Sequence, residues 1–362
     1  SSGDLTNLCH FFIFLFLLTF IASAFFTWYV RRILSRANIG DSPIVSEHKH
    51  KIGTPTMGGI SFLFTALLLI SLYYTDTVIT ITLFMMLAGG IFGLVDDLIG
   101  LQIKEVQKLV VNKTNKVLTL GRLNLKPGEE VRVATPKAKK EVDSLLEEGK
   151  LELIGEVPIK LEPEEFPKLL CQIFIGILLC LTGLVTTLGG FVLGIFMFPV
   201  VCIGIVGAVN TVNLIDGMDG LAAGIVCIAS FACCIFCMIC GKTEAIAPFL
   251  ILAGLCLGFL IFNRYPATIF MGDTGSFILG VGFATAVIIC DIPYFGVLSL
   301  GVPIASVVIS LLHRAHIINL PVEPVHHTLN HMGMSEVKIV SLYWLGTVIL
   351  CVIGILGKIY IF

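Results

Sequence analysis

The chain has 362 residues, 56% of them hydrophobic and 13% charged, with a formal net charge of −2 and a mean hydropathy of +0.99. This composition excludes a string of soluble domains and is that of a polytopic membrane protein. The near-neutral total excludes no class of partner, because the few charges are unevenly placed and their location carries the information.

A spanning helix needs about 20 mainly apolar residues. Ten stretches meet or approach that, near 8–30, 56–74, 77–98, 167–186, 190–209, 221–240, 246–263, 274–291, 294–313 and 336–360. The opening SSG resembles an expression scar, and the first apolar run reads as a retained membrane helix rather than a signal peptide. An even number of spans puts both termini on one side. The connections after odd-numbered stretches hold Arg31, Arg32, Arg36, Lys49, Lys51, thirteen Lys or Arg between 101 and 168, Arg264, Arg314 and Lys338; the opposite face holds Lys242 and Lys358. The positive-inside rule then places the odd-to-even loops in the cytoplasm and both termini outside. Twelve cysteines fall mostly in or beside apolar runs, which favours buried thiols over a disulfide framework. The run from Cys233 to Cys240 reads as helix core.

Residues 103–166 break the pattern. They are charged and nearly free of aromatics, with strand-like Lys116–Leu120, Glu130–Ala134 and Leu151–Ile154 around a helical ATPKAKKEVDSLLEEGK. This is a small soluble α+β insert on the cytoplasmic side, with 1–102 and 167–362 forming one membrane domain. A natural accessory domain, a substrate-gripping element and an engineered loop replacement all fit, and the abruptness of the change favours the last.

Four polar constellations lie on that cytoplasmic side. In NTVNLIDGMDG, Asn213, Asp216 and Asp219 are spaced i, i+3, i+6, one polar stripe if the segment is helical; a solvated, capped loop is the plainer alternative. Asp96 and Asp97 end the third stretch, about 100° apart on a helix, so one can bind an ion while its neighbour holds a proton or substrate. Asp273, in Phe270-Met-Gly272-Asp273-Thr-Gly-Ser, opens a helix whose free amides suit phosphate, with Gly272 admitting a ligand; Asp273 there is either a helix cap or a Mg²⁺ ligand. His326, His327 and His331 favour phosphate contact over zinc. Lys49, Lys51 and Thr54 precede a Gly-rich helix start, an anion site. Carboxylates, cations and helix N-termini on one membrane face suit a divalent ion, a diphosphate and a lipid acceptor, so the chemistry is phosphoryl transfer at the membrane surface. A secondary transporter would instead place charge near mid-membrane with access from both faces.

KIGTPTMGG, the VDD pair, NTVNLIDGMDGLAAG, FNRYPATIFMGDTGS and PVHHTLNHMGMSEVKIV, in this order, closely resemble the bacterial phospho-N-acetylmuramoyl-pentapeptide transferases of the polyprenyl-phosphate N-acetylhexosamine-1-phosphate transferase superfamily. The resemblance covers the chain outside 103–166. It implies transfer of phospho-MurNAc-pentapeptide from UDP-MurNAc-pentapeptide to undecaprenyl phosphate, giving lipid I and UMP for peptidoglycan synthesis. It further implies a Mg²⁺ cofactor, a multi-pass protein of the bacterial plasma (inner) membrane with a cytoplasmic active site, no nucleic-acid partner, and a homodimer among the compatible assemblies. By resemblance Mg²⁺ lies on Asp273 with Asp216 in the metal and nucleoside region beside Asn213, one of Asp96 and Asp97 deprotonates the lipid phosphate, Asn263 and Phe270 lie by the uracil, and His326 and His327 lie by the phosphates or sugar. The family usually has Lys three residues after the Asp pair, where this chain has Gly100; Lys168 matches the later end of the usual loop. The run of three histidines is here His326, His327, Thr328. The sister reading is a UDP-GlcNAc:polyprenyl-phosphate transferase, against which GTPTMGG and SEVKIV favour the muramoyl branch.

Overall fold

The computed structural model describes residues 2–39, 53–120, 123–133, 136–160 and 164–361. Lys49 and Lys51 lie outside the described residues. Two compact units emerge, Ser1–Asp97 with Glu165–Phe362, and Leu98–Glu164.

The first is a multi-pass helical membrane unit. It contains α1 (Ser2–Arg36), α2 (Ile60–Tyr73), α3 (Thr77–Gly100, whose last turn passes into the second unit), α5 (Glu165–Leu181), α6 (Met197–Ile215), α7 (Leu221–Ile239), α8 (Ile246–Asn263), α9 (Gly272–Ile289), α10 (Pro293–Ser299), α11 (Gly301–Arg314), α12 (Val325–His331) and α13 (Glu336–Tyr360). All ten apolar stretches come out helical. Seven are long and apolar enough to cross a membrane, and α10 with α11 make an eighth if that pair, bent by 73°, is one span. The others are α2, with 14 residues, and α5, with 17. At 1.5 Å per residue they are about 21 and 26 Å long, short of a hydrocarbon core of about 30 Å. The fifth stretch starts later than its hydropathy suggests, because Thr187–Leu188 and Phe191–Val192 pair as a hairpin before α6.

α9 is the most enclosed of the spans. α6 packs along it, α5 against α6, and α1, α8, α7 and α13 follow in succession. Met85 of α3, Ile175 and Leu179 of α5, Val201, Ile205 and Val209 of α6 and Phe277 and Val281 of α9 share one core. The far end of α9 is closed by Lys242, whose Nζ donates to the carbonyls of Cys290 (3.0 Å) and Asp291 (2.8 Å), a cation on the negative end of the helix.

The second unit is α+β. Its antiparallel sheet has the order β4 (Glu130–Val133), β1 (Ile103–Asn112), β5 (Leu151–Lys160), with a β2–β3 hairpin (Leu118–Leu120, Leu123–Leu125) and helix α4 (Pro136–Glu147). Val110, Leu120, Leu125, Val142 and Leu151 form its own core. The central strand β1 escapes the sequence reading because IKEVQKLVVN does not alternate cleanly between apolar and polar residues, and β3 because three residues are too few to show a period. The expected turn at 125–130 is present, with Gly128 at φ +77.

Candidate active site

The site is organised by the first turn of α9. Two helices approach it so closely that no side chain fits between. A Cβ on Gly93 of α3 would lie 2.3 Å from the Asp273 carbonyl oxygen, and one on Gly59, before α2, 2.0 Å from the Gly275 nitrogen. The segment before α2 is stitched alongside: Phe270 N–H donates to Pro55 O (2.7 Å), Gly58 N–H to Phe270 O (2.8 Å) and Gly59 N–H to Met271 O (2.9 Å). Gly58 and Gly59 are therefore buried packing positions rather than an open anion cradle, and Thr54 sits half-buried beside them.

Because α3 comes this close, the Asp97 carboxylate covers the amides of α9. Its Oδ1 accepts from Asp273 N–H (2.9 Å), and its Oδ2 accepts from Thr274 N–H (2.9 Å) and the Thr274 hydroxyl (2.5 Å). An acid from a distant helix thus caps α9, satisfying orphan donors and complementing the helix dipole. The amides expected to receive phosphate are occupied by Asp97. Gly272, expected to admit a ligand, has φ +72 and admits Asp97 instead, whose oxygens lie 2.8 and 3.0 Å from where a Cβ would be.

Asp96 points elsewhere, being about 100° round α3. Lys168 of α5 places its Nζ 3.2 Å from Asp96 Oδ2 and 3.3 Å from Asp273 Oδ2. The other Asp273 oxygen accepts from Asn213 Nδ2 (2.8 Å), which also reaches Ser276 Oγ (2.9 Å). Asp96, Lys168, Asn213 and Asp273, from four helices, thus form one linked cluster.

The polar stripe divides. α6 ends at Ile215 with Asp216 as its half-buried C-cap, so Asn213, Asp216 and Asp219 do not share a helix face. Asp219 is buried in the following turn, where its Oδ2 accepts from Ala267 N–H (2.8 Å) and its own N–H donates to Glu336 Oε1 (2.7 Å). Asn263, also buried, accepts from Gly220 N–H (3.2 Å) and donates to Ile269 O (2.9 Å). Asp219 and Asn263 therefore tie loops together. His326 and His327 of α12 lie with ring centroids 4.5 Å apart, and a Cβ on Gly217 would fall 2.7 and 2.9 Å from their Nε2 atoms. Among the described residues no group of three or more His, Cys, Asp or Glu side chains is arranged to hold a metal.

An apolar groove of about 710 Å³ runs between α6, α9, α10 and α11. Val200, Ile203, Val287, Val297 and Leu311 line it, and its polar wall includes Asn210, Asn213, Glu165, Arg314 and Glu323. Asn213 is shared by the groove and the charged cluster.

The family described as "Glycosyl transferase family 4" matches residues 160–291. A protein of Methanothermobacter thermautotrophicus named "Putative phospho-N-acetylmuramoyl-pentapeptide-transferase" is 54% identical over 344 residues, covering 95% of this chain and 97% of the relative. The "Phospho-N-acetylmuramoyl-pentapeptide-transferase" of Acetivibrio thermocellus is 31% identical over 356 residues, covering 94% of each. This chain belongs to the phospho-N-acetylmuramoyl-pentapeptide-transferase family. The match at 160–291 takes in Lys168, Asn213, Asp216, Asp219, Asn263, Phe270, Gly272 and Asp273. Asp96, Asp97, His326 and His327 lie outside it and are brought to these residues by the fold. Thr274 and Ser276, part of a helix start that the sequence suits to phosphate, bond Asp97 and Asn213 instead, and Glu336 escapes sequence reasoning because a Glu in a first turn looks like an ordinary helix-start acid.

Proposed function

We propose that the protein transfers phospho-MurNAc-pentapeptide from UDP-MurNAc-pentapeptide to undecaprenyl phosphate at the cytoplasmic face of the plasma membrane, releasing UMP and forming lipid I. The observation that carries this reading is the junction of the charged cluster with the apolar groove at Asn213. A long isoprenoid tail fits a groove with apolar walls, and its phosphate then lies at the polar end, beside Asp96, Lys168 and Asp273. In the reaction an oxygen of the lipid phosphate attacks the sugar-bearing phosphorus of the donor, the bond between the two phosphates of the donor breaks, and UMP leaves with the electron pair.

The geometry separates the two adjacent carboxylates. Asp97 has both oxygens committed to α9, which leaves Asp96 as the group to hold a proton from the lipid phosphate. The Lys168 ammonium neutralises phosphate oxygens.

Mg²⁺ fits the donor set. Its hard-oxygen preference suits Asp273 and Asp216, and it commonly uses one or two carboxylates with waters and substrate phosphates. The ammonium of Lys168 between Asp96 and Asp273 marks a place where positive charge is stabilised. When bound, the ion would polarise phosphate oxygens and neutralise developing charge.

UMP release in detergent from UDP-MurNAc-pentapeptide and undecaprenyl phosphate, with Mg²⁺ or with EDTA, tests the proposal, with UDP-GlcNAc as competing donor. Mg²⁺-dependent UMP from the muramoyl donor alone is expected. UMP from UDP-GlcNAc instead would assign the sister reaction, and UMP from neither would overturn the assignment.

A further inference from the structure

Glu336 begins α13 directly after Ser335 and is only 7% exposed. A carboxylate is costly to bury unless it is hydrogen-bonded or paired, and the helix N-terminus it stands on favours its charge. Its Oε1 accepts the N–H of Asp219 at 2.7 Å, across 117 residues of sequence. The adjacent Gly220 N–H goes to Asn263 Oδ1, Asp219 Oδ2 holds Ala267 N–H, and Asn263 Nδ2 holds Ile269 O. One continuous set of bonds therefore joins the start of α13, the turn 216–220 and the loop 264–271. Gly217 on that turn is the floor under His326 and His327.

We propose that Glu336 is a positioning residue that fixes the Asp216–Gly220 turn, and with it Asp216 and the two imidazoles, for the nucleotide-sugar donor. The proposal rests on the transferase reading above. The donor rather than the lipid is assigned because Glu336, Asp219, Asn263 and Ala267 all stay out of the groove wall, so loosening the turn leaves the acceptor's groove intact.

Steady-state UMP release tests this with three substitutions. Glu336→Ala is expected to raise the donor KM about tenfold, the effect of losing a hydrogen bond to a charged group, with a smaller change in kcat and none in the acceptor KM. Glu336→Gln keeps an acceptor oxygen at the same reach and is expected to restore the donor KM. Glu336→Asp, one methylene shorter, is expected not to. An unchanged donor KM in Glu336→Ala, an equal rise for both substrates, or a failure of Gln to restore would overturn the proposal. If Glu336→Ala does not fold, the Gln and Asp variants decide by the same criteria. Hydrogen exchange reads the latch without turnover: Glu336→Asp should speed exchange at 217–220 and 267 while 276–280 of α9 stay protected, and unchanged exchange there would overturn the positioning role even if the wild type releases no UMP.

Discussion

In the membrane unit Asp97 reaches across 176 residues of sequence to the amide of Asp273 and Lys168 across 105 to its carboxylate, with Lys168 and Asp96 side chains only 17% and 12% exposed. In the unit Leu98–Glu164 the ion pairs are open to solvent: Lys150 lies 2.6 Å from Glu148 with both side chains about half exposed, and Lys113 lies 3.0 Å from Glu152 in the same condition. An exposed pair in water gains about 0–1 kcal/mol. A charge withdrawn from water as these are is costly unless it is paired and hydrogen-bonded. Charges kept in the first unit are thus held by geometry for a task, whereas those of the second mostly keep a small domain soluble.

That contrast can be broken at several points. The largest effect is expected from Asp273→Asn, with UMP release falling at least about 100-fold, as when a group that stabilises transition-state charge is removed, while the protein remains extractable and monodisperse. Near-normal turnover would remove Asp273 from the chemistry. Next come the paired acids. Asp97→Ala should lower stability by about 3 kcal/mol, through loss of a cap and of buried acceptors, seen as a fall in the thermal midpoint in detergent. Asp96→Asn should reduce kcat about 100-fold or more, as for a general base, with the midpoint little changed. Equal losses of stability in the two variants would erase the division between them. Gly59→Ala, whose Cβ has no room beside Gly275, is expected to cost about 1–3 kcal/mol by overpacking, and a neutral result would refute the close approach of α2 and α9. Replacing 98–164 by a short lysine-containing loop should leave the membrane unit folded, with aggregation of that variant the adverse outcome. Lys150→Ala closes the series, with a change within about 0.5 kcal/mol.

Much of this organisation was legible in the chain. Ten apolar stretches located the helices, because lipid demands uninterrupted apolar helical segments. The carboxylates stood out because charge is rare in such surroundings. The break between α10 and α11 was missed because GVLSLGVP is as apolar as a straight span, although its Gly301 and Pro303 are a break signal. Two glycines were visible but misread: Gly59 and Gly272 look like room for a ligand, and in the fold they are room for another backbone and for Asp97.

The sequence by itself determined that this is a multi-pass membrane enzyme of a particular transferase family and which short segments carry its polar residues. Hydropathy and ordered motifs are local properties, and they survive without knowledge of the fold. Only the tertiary structure decided what each polar residue does within them. Asp96 and Asp97 are chemically identical neighbours, and they differ because α3 meets α9 at one angle, turning one carboxylate onto the amides of Asp273 and Thr274 and the other toward Lys168. Asp219 and Glu336 likewise acquire their connection from helices brought together across 117 residues, a relation no local pattern encodes.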